Sequence, residues 1–96
     1  MPYRTEIMIF QNITIINKLG LHARAASKLV SCASQFESEV LIEKEGNQVN
    51  AKSIMGVMML AASKGTELRL VVDGRDEIRC LEAISTLIVN RFDEAE

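Results

Sequence analysis

Apolar and polar positions along this chain change period several times, and the changes mark its elements. Met8 to Ile16 (MIFQNITII) is rich in β-branched and apolar residues, the composition of a strand. Asn17 to Leu21, which contains Gly20, breaks that run. From Ala23 to Phe36 the apolar residues Ala26, Leu29, Val30, Ala33 and Phe36 recur at the spacing of one helix face. Ser38 to Glu45 returns to strand composition, Gly46-Asn47 is a hairpin signal, and Gln48 to Lys52 reads as the returning strand. Ser53 to Ala62 reads as a short helix with Ser53 as its N-cap, ended by Lys64-Gly65. Glu67 to Asp73 is a strand. Asp76 to Phe92 forms a last helix with Ile78, Leu81, Ile84, Ile88 and Phe92 on its inner stripe.

The resulting order is β-α-β-β-α-β-α. Strands interleaved with helices, plus one hairpin, imply an antiparallel or mixed sheet carrying its helices on one face, a two-layer sandwich. The chain has 96 residues, is 48% hydrophobic and 25% charged, and contains no repeat or linker. We therefore read residues 1–96 as a single domain with one modest core. A formal net charge of −2 argues against a nucleic-acid partner, which selects for a basic surface. The longest apolar-plus-glycine run, Ile54 to Ala62, spans 9 residues, too few for insertion in a membrane, where a spanning helix needs about twenty. Arg4 and Glu6 ahead of the short apolar stretch Ile7 to Phe10 do not make a secretory signal. Cys32 and Cys80 lie far apart in helix-like stretches, so they read as small packed thiols and not as a disulfide or metal pair. No metal or cofactor is expected.

The chemistry concentrates at one place. His22, the only histidine, stands where the first strand gives way to the first helix. A helix start leaves backbone N–H groups unpaired and carries partial positive charge, so it accepts an anion readily. Arg24 adds a permanent positive charge two residues on. The same field disfavours an imidazolium, which leaves a neutral and nucleophilic ring near pH 7. Such a ring can attack a phosphoryl group and hold it as a labile phosphoramidate. The plainer alternative is a histidine that merely caps the helix.

Gly20, Leu21, His22, Ala23, Arg24 and Ala25 in sequence resemble the phosphorylation-site motif of the HPr family, the histidine-containing phosphocarriers of the bacterial phosphotransferase system. A second family signature, Lys-Ser-Ile-Met-Gly-Val-Met, stands intact at Lys52 to Met58, with Lys64-Gly65 following. The resemblance runs from about Asn12 to Arg91. It implies an α+β fold: an open-faced sandwich of a four-stranded antiparallel sheet with three helices on one face. It also implies that enzyme I, charged by phosphoenolpyruvate, phosphorylates a ring nitrogen of His22, and that the group then passes to a histidine on a IIA protein or domain. Arg24 would neutralise the phosphoryl charge. Transfer of this kind is mostly positioning and charge compensation. The chain would thus be a stoichiometric carrier in the cytoplasm and not an enzyme. Brief, small contacts favour a monomer. Ala25 departs from the proline of many relatives, which alters rigidity of the first turn without abolishing function.

The helix SIMGVMMLAA is apolar almost all round, and a surface helix needs only part of its circumference buried. By the resemblance, Ile54, Met55 and Met58 look like the residues that meet enzyme I and IIA proteins. Ser53 explains itself as an N-cap, yet its setting also resembles the regulatory serine modified by HPr kinase/phosphorylase, where a phosphate would add negative charge beside the docking patch. Lys28, Lys44 and Arg91 read as solvated charges, Glu43 and Glu45 as the exposed face of an edge hairpin, and Asn17 as a residue that orders the loop before His22. The rival readings are a nitrogen-branch regulatory phosphocarrier, an acylphosphatase-like hydrolase and a ligand-sensing module of similar element order. The resemblance places the carrier in sugar transport or its regulation.

Overall fold

A computed structural model describes residues 8–96, so the reading of Arg4, Glu6 and Ile7 lies outside the described residues. Seven elements follow the expected order: β1 (Ile9–Thr14), α1 (Ala23–Ser34), β2 (Glu39–Lys44), β3 (Asn47–Asn50), α2 (Ile54–Met59), β4 (Glu67–Asp73) and α3 (Glu77–Val89). All strand pairs are antiparallel, in the sheet order β1-β4-β2-β3. The last long strand therefore lies between the first and second. Alternation along the strands sends Ile13, Val40, Ile42, Leu68, Leu70 and Val72 to the helix-covered face, where all are buried. The opposite face is open, and there the Arg69 guanidinium sits 4.9 Å from the centre of the Phe10 ring. Leu29, Ala33, Val57, Ile84 and Ile88 close the core from the helix side.

Strands β1 and β3 end two residues earlier than expected, at Thr14 and Asn50, and four other boundaries differ for local reasons. The hairpin turn occupies Glu45-Gly46 and not Gly46-Asn47: both turn residues have positive φ (49° and 87°), and Lys44 pairs with Asn47. Two positive φ values match the twist of the flanking strands, and the glycine takes the second at little cost. Helix α1 stops at Ser34, two residues before the half-buried Phe36. Helix α2 stops at Met59 because Ala61, at φ 52°, turns left-handed; Lys64-Gly65 belongs to a later turn. Helix α3 stops at Val89, after which Arg91, Phe92 and Asp93 all have positive φ (58°, 54° and 64°). That left-handed turn still buries Phe92 completely. It also turns the chain end toward the start of α1, held by Lys28 Nζ donating to the Phe92 carbonyl at 2.7 Å.

Among the described residues no helix is long and apolar enough to cross a membrane. Both cysteines are free thiols; burial pushes the Cys80 thiol up to about 11 and raises that of Cys32 as well.

Candidate functional site

The link from β1 to α1 is pinned at both ends. Asn17 is fully buried, donates from Nδ2 to the Gly20 carbonyl at 2.9 Å, and accepts the Gly20 N–H on its own carbonyl at 3.2 Å. Gly20 has φ +67°, and a Cβ there would lie 2.5 Å from the Ala62 carbonyl oxygen and 2.8 Å from Ser63 Cα. Only glycine satisfies both the conformation and the approach. The neighbouring Leu21 N–H donates to Ala62 O at 2.9 Å, and the Leu21 side chain is buried. The site loop thus rests on the segment leaving α2.

His22 follows at the N-cap of α1, extended at φ −73° and ψ 178°. Its ring makes no capping bond to the helix. The first intrahelical bond runs from Ala26 N–H to His22 O at 2.8 Å. The N–H groups of Ala23, Arg24 and Ala25 therefore precede the helical ladder and have no partner within it. The His22 side chain is 28% exposed. It borders an open cleft together with Lys18, Leu19, Arg24, Glu94, Ala95 and Glu96. Arg24 is exposed in the first turn, while Ala25 is buried beneath it.

One partner of the ring has no counterpart in the sequence reading. His22 Nε2 is hydrogen-bonded to Glu94 Oε2, and the other carboxylate oxygen of Glu94 accepts from Asn17 Nδ2 at 3.0 Å. The Glu94 side chain is 15% exposed. Burial pushes its carboxyl up, but the bonds from His22 and Asn17 and the charges of His22 and Lys28 outweigh that and hold it below the usual carboxylate range. Farther along the tail, the Lys18 N–H donates to Glu96 O at 2.6 Å and Lys18 Nζ lies 3.4 Å from the Glu96 carboxylate. The expected electropositive mouth therefore also contains acidic groups from the chain end. This end, Asp93-Glu94-Ala95-Glu96, carries no motif in the sequence, and its position depends on the turn at Phe92.

Ser53 caps α2, its Oγ accepting the Gly56 N–H at 3.1 Å. Of the residues marked for docking, Ile54 is 43% exposed, Met55 71% and Met58 42%, while Val57 turns inward. Met59, at 76%, extends the same apolar surface. Exposure of this size on four large side chains of one helix resolves the choice between core and surface left open by composition. Lys44, read as solvated, instead donates to the Leu60 carbonyl at 2.9 Å and secures the end of α2.

A family model described as "PTS HPr component phosphorylation site" matches residues 9–90. The chain belongs to the HPr family. It is 55% identical over 89 residues to an HPr phosphocarrier of Neisseria meningitidis, covering 93% of this chain and all of that one. An HPr structure from Thermoanaerobacter tengcongensis superimposes with a TM-score of 0.89 at 43% identity, covering 92% of this chain and 99% of that one. A second structure, described as an HPr dimer from the same organism, gives 0.74 at 42% identity, covering 98% and 100%. As a member of HPr the chain is a phosphocarrier of the phosphotransferase system and not a catalyst. These relatives lend no support to the hydrolase alternative.

Proposed function

We propose that His22 accepts a phosphoryl group from enzyme I, itself charged by phosphoenolpyruvate, and passes it to a histidine of a IIA protein or domain. The observation that carries this reading is the placement of the one imidazole: part-exposed in an open cleft, at the N-cap of a 12-residue helix, with three first-turn N–H groups and Arg24 alongside. Backbone N–H groups and a guanidinium compensate phosphoryl charge without covalent chemistry of their own. Ile54, Met55 and Met58 supply the pliable apolar surface on which both partners dock in turn. The carrier works as a monomer in the cytoplasm, serving sugar uptake; a nitrogen-linked regulatory branch would use the same chemistry with a different acceptor.

Ser53 is the second modification site in this reading, a target of HPr kinase/phosphorylase. A phosphate on its Oγ would sit at the start of α2 beside the docking residues and add roughly two negative charges there.

The test is incubation of the protein with enzyme I and labelled phosphoenolpyruvate. Label that is acid-labile, alkali-stable and absent from His22→Ala supports the proposal; an unlabelled wild-type protein overturns it. In a separate incubation with HPr kinase/phosphorylase and labelled ATP, acid-stable label lost only from Ser53→Ala would mark the kinase reaction. Light scattering at working concentration reads the oligomeric state.

A further inference from the structure

We propose that α1 and α2 meet enzyme I through a surface on which Arg24 is the only uncommitted charge, so that the donor surface fitting it is apolar and carries no acidic patch. This inference rests on enzyme I being the donor to His22, and it names the chemistry by which the two proteins recognise each other.

The charges of the two helices carry it. Helix α2 (IMGVMM) has none, and its large exposed side chains are Ile54, Met55, Met58 and Met59. Helix α1 has two, Arg24 and Lys28, both in its first half. Its other outward residues include Ser27, Ser31 and Ser34, exposed and three or four positions apart, so they form one low ridge. Three lysines stand near these helices, and each is bound to a carbonyl at the end of a helix. Lys28 Nζ donates to the Phe92 carbonyl at 2.7 Å, beyond α3; Lys52 Nζ to that of Phe36 at 2.8 Å, beyond α1; and Lys44 Nζ to that of Leu60 at 2.9 Å, at the end of α2. The C-terminal end of a helix carries partial negative charge, so an ammonium is favoured there. All three bonds are part-buried, and a lysine that turned to a partner carboxylate would give up its own.

Arg24 is different. It is exposed, makes no ion pair among the described residues, and borders the cleft of His22. The anion it faces in the complex is the phosphoryl group in transit. Away from that group the surface offers methionines that protrude and serines that recede. A donor fits it with a recess for Met55 and Met59 and with apolar side chains laid over the serine ridge. Acidic groups opposite the serines would be desolvated with no cation to pair with, which weakens binding. Charges at the rim of an interface chiefly set the association rate and its salt dependence. With one such charge, docking here is close to salt-independent, because apolar contact is not screened.

The test is the steady-state rate of labelling by enzyme I and phosphoenolpyruvate as the carrier concentration is varied, for wild type, Ser31→Lys, Ser31→Glu and Met55→Gln. In wild type, KM for the carrier should change by less than about threefold between roughly 0.05 and 0.5 M salt, where screening would weaken a multiply charged contact by about tenfold or more. At low salt Ser31→Lys and Ser31→Glu should each raise KM about threefold to tenfold with kcat little changed, because either charge is desolvated against an uncharged surface. Met55→Gln should raise KM by a similar factor at every salt concentration. Residue 31 is exposed on a helix and both replacements favour helix, so circular dichroism should show the fold unchanged. A KM lowered by Ser31→Lys and raised by Ser31→Glu, or a wild-type KM that climbs about tenfold with salt, reveals an acidic donor surface and overturns the proposal. So does an unchanged KM in both Ser31 variants, which would put the ridge outside the contact. Wild-type protein that takes no label overturns instead the reading of enzyme I as donor, and this inference with it.

Discussion

Replacing Gly20 by alanine separates two effects that usually arrive together. The left-handed backbone at φ +67° carries a penalty of about 1–2 kcal/mol for any residue with a Cβ. The added methyl would also approach the Ala62 carbonyl oxygen to 2.5 Å and Ser63 Cα to 2.8 Å, and both are backbone atoms that must move. Overpacking of this kind adds about 1–3 kcal/mol. Movement of residues 62 and 63 further stretches the 2.9 Å bond from Leu21 N–H to Ala62 O. Gly65 is the control: its φ is +93°, and nothing lies within 4 Å of a Cβ built there. Gly65→Ala should therefore lose only the backbone penalty of about 1–2 kcal/mol, and Gly20→Ala about 2–5 kcal/mol in all. The chain has no tryptophan, so equilibrium urea unfolding followed by far-UV circular dichroism is the suitable assay. In thermal melts the gap between the variants corresponds to at least about 4 °C. Equal losses within about 0.5 kcal/mol would refute the close approach of the site loop to the segment after α2.

Removing the Ser53 hydroxyl by Ser53→Ala should cost about 1 kcal/mol in the same urea assay, since the Gly56 N–H loses its acceptor. Phe92→Ala should cost about 3–5 kcal/mol, because a fully buried ring is lost from the core. It should also release the tail, so that the proton NMR signal of the His22 Nε2–H weakens even though neither His22 nor Glu94 is altered. The Glu94 carboxyl is held low in the folded protein, so its contribution to stability is present above the pH at which an unfolded glutamate titrates and is lost as pH falls through the lower folded value. Carbon-13 NMR titration should find this carboxyl titrating higher in His22→Ala, with a smaller loss of stability on acidification. An unchanged Glu94 titration would refute the pairing.

Much of the chain was legible because its signals are local. Ser53 three residues ahead of a free N–H is a cap wherever the helix goes, and Ile84 and Ile88 declare the inward face of α3, although Ile78, expected on the same stripe, is 64% exposed at the first turn. His22 at a strand-to-helix break could be placed at a helix start before any coordinates, and Gly20 could be marked as a break. The run Ile54 to Met59 was ambiguous, since an apolar stretch all round fits a sunken helix as well as one exposed at the surface. Packing decided it by turning Val57 inward and leaving Ile54, Met55 and Met58 out.

What the sequence by itself determined is the succession of elements, the core faces and the position of the imidazole, all consequences of periodicity and capping within a few residues. Tertiary structure alone decided the rest: β4 inserted between β1 and β2, the end of α2 at Ala61, and Glu94 against His22. Left-handed alanine, phenylalanine and aspartate have no compositional signature, because their strain is offset by contacts made elsewhere. A carboxylate in an acidic tail looks solvated until the burial of Phe92 fixes where the tail must run. The ring was readable from its neighbours in the chain, and its partner only from its neighbours in space.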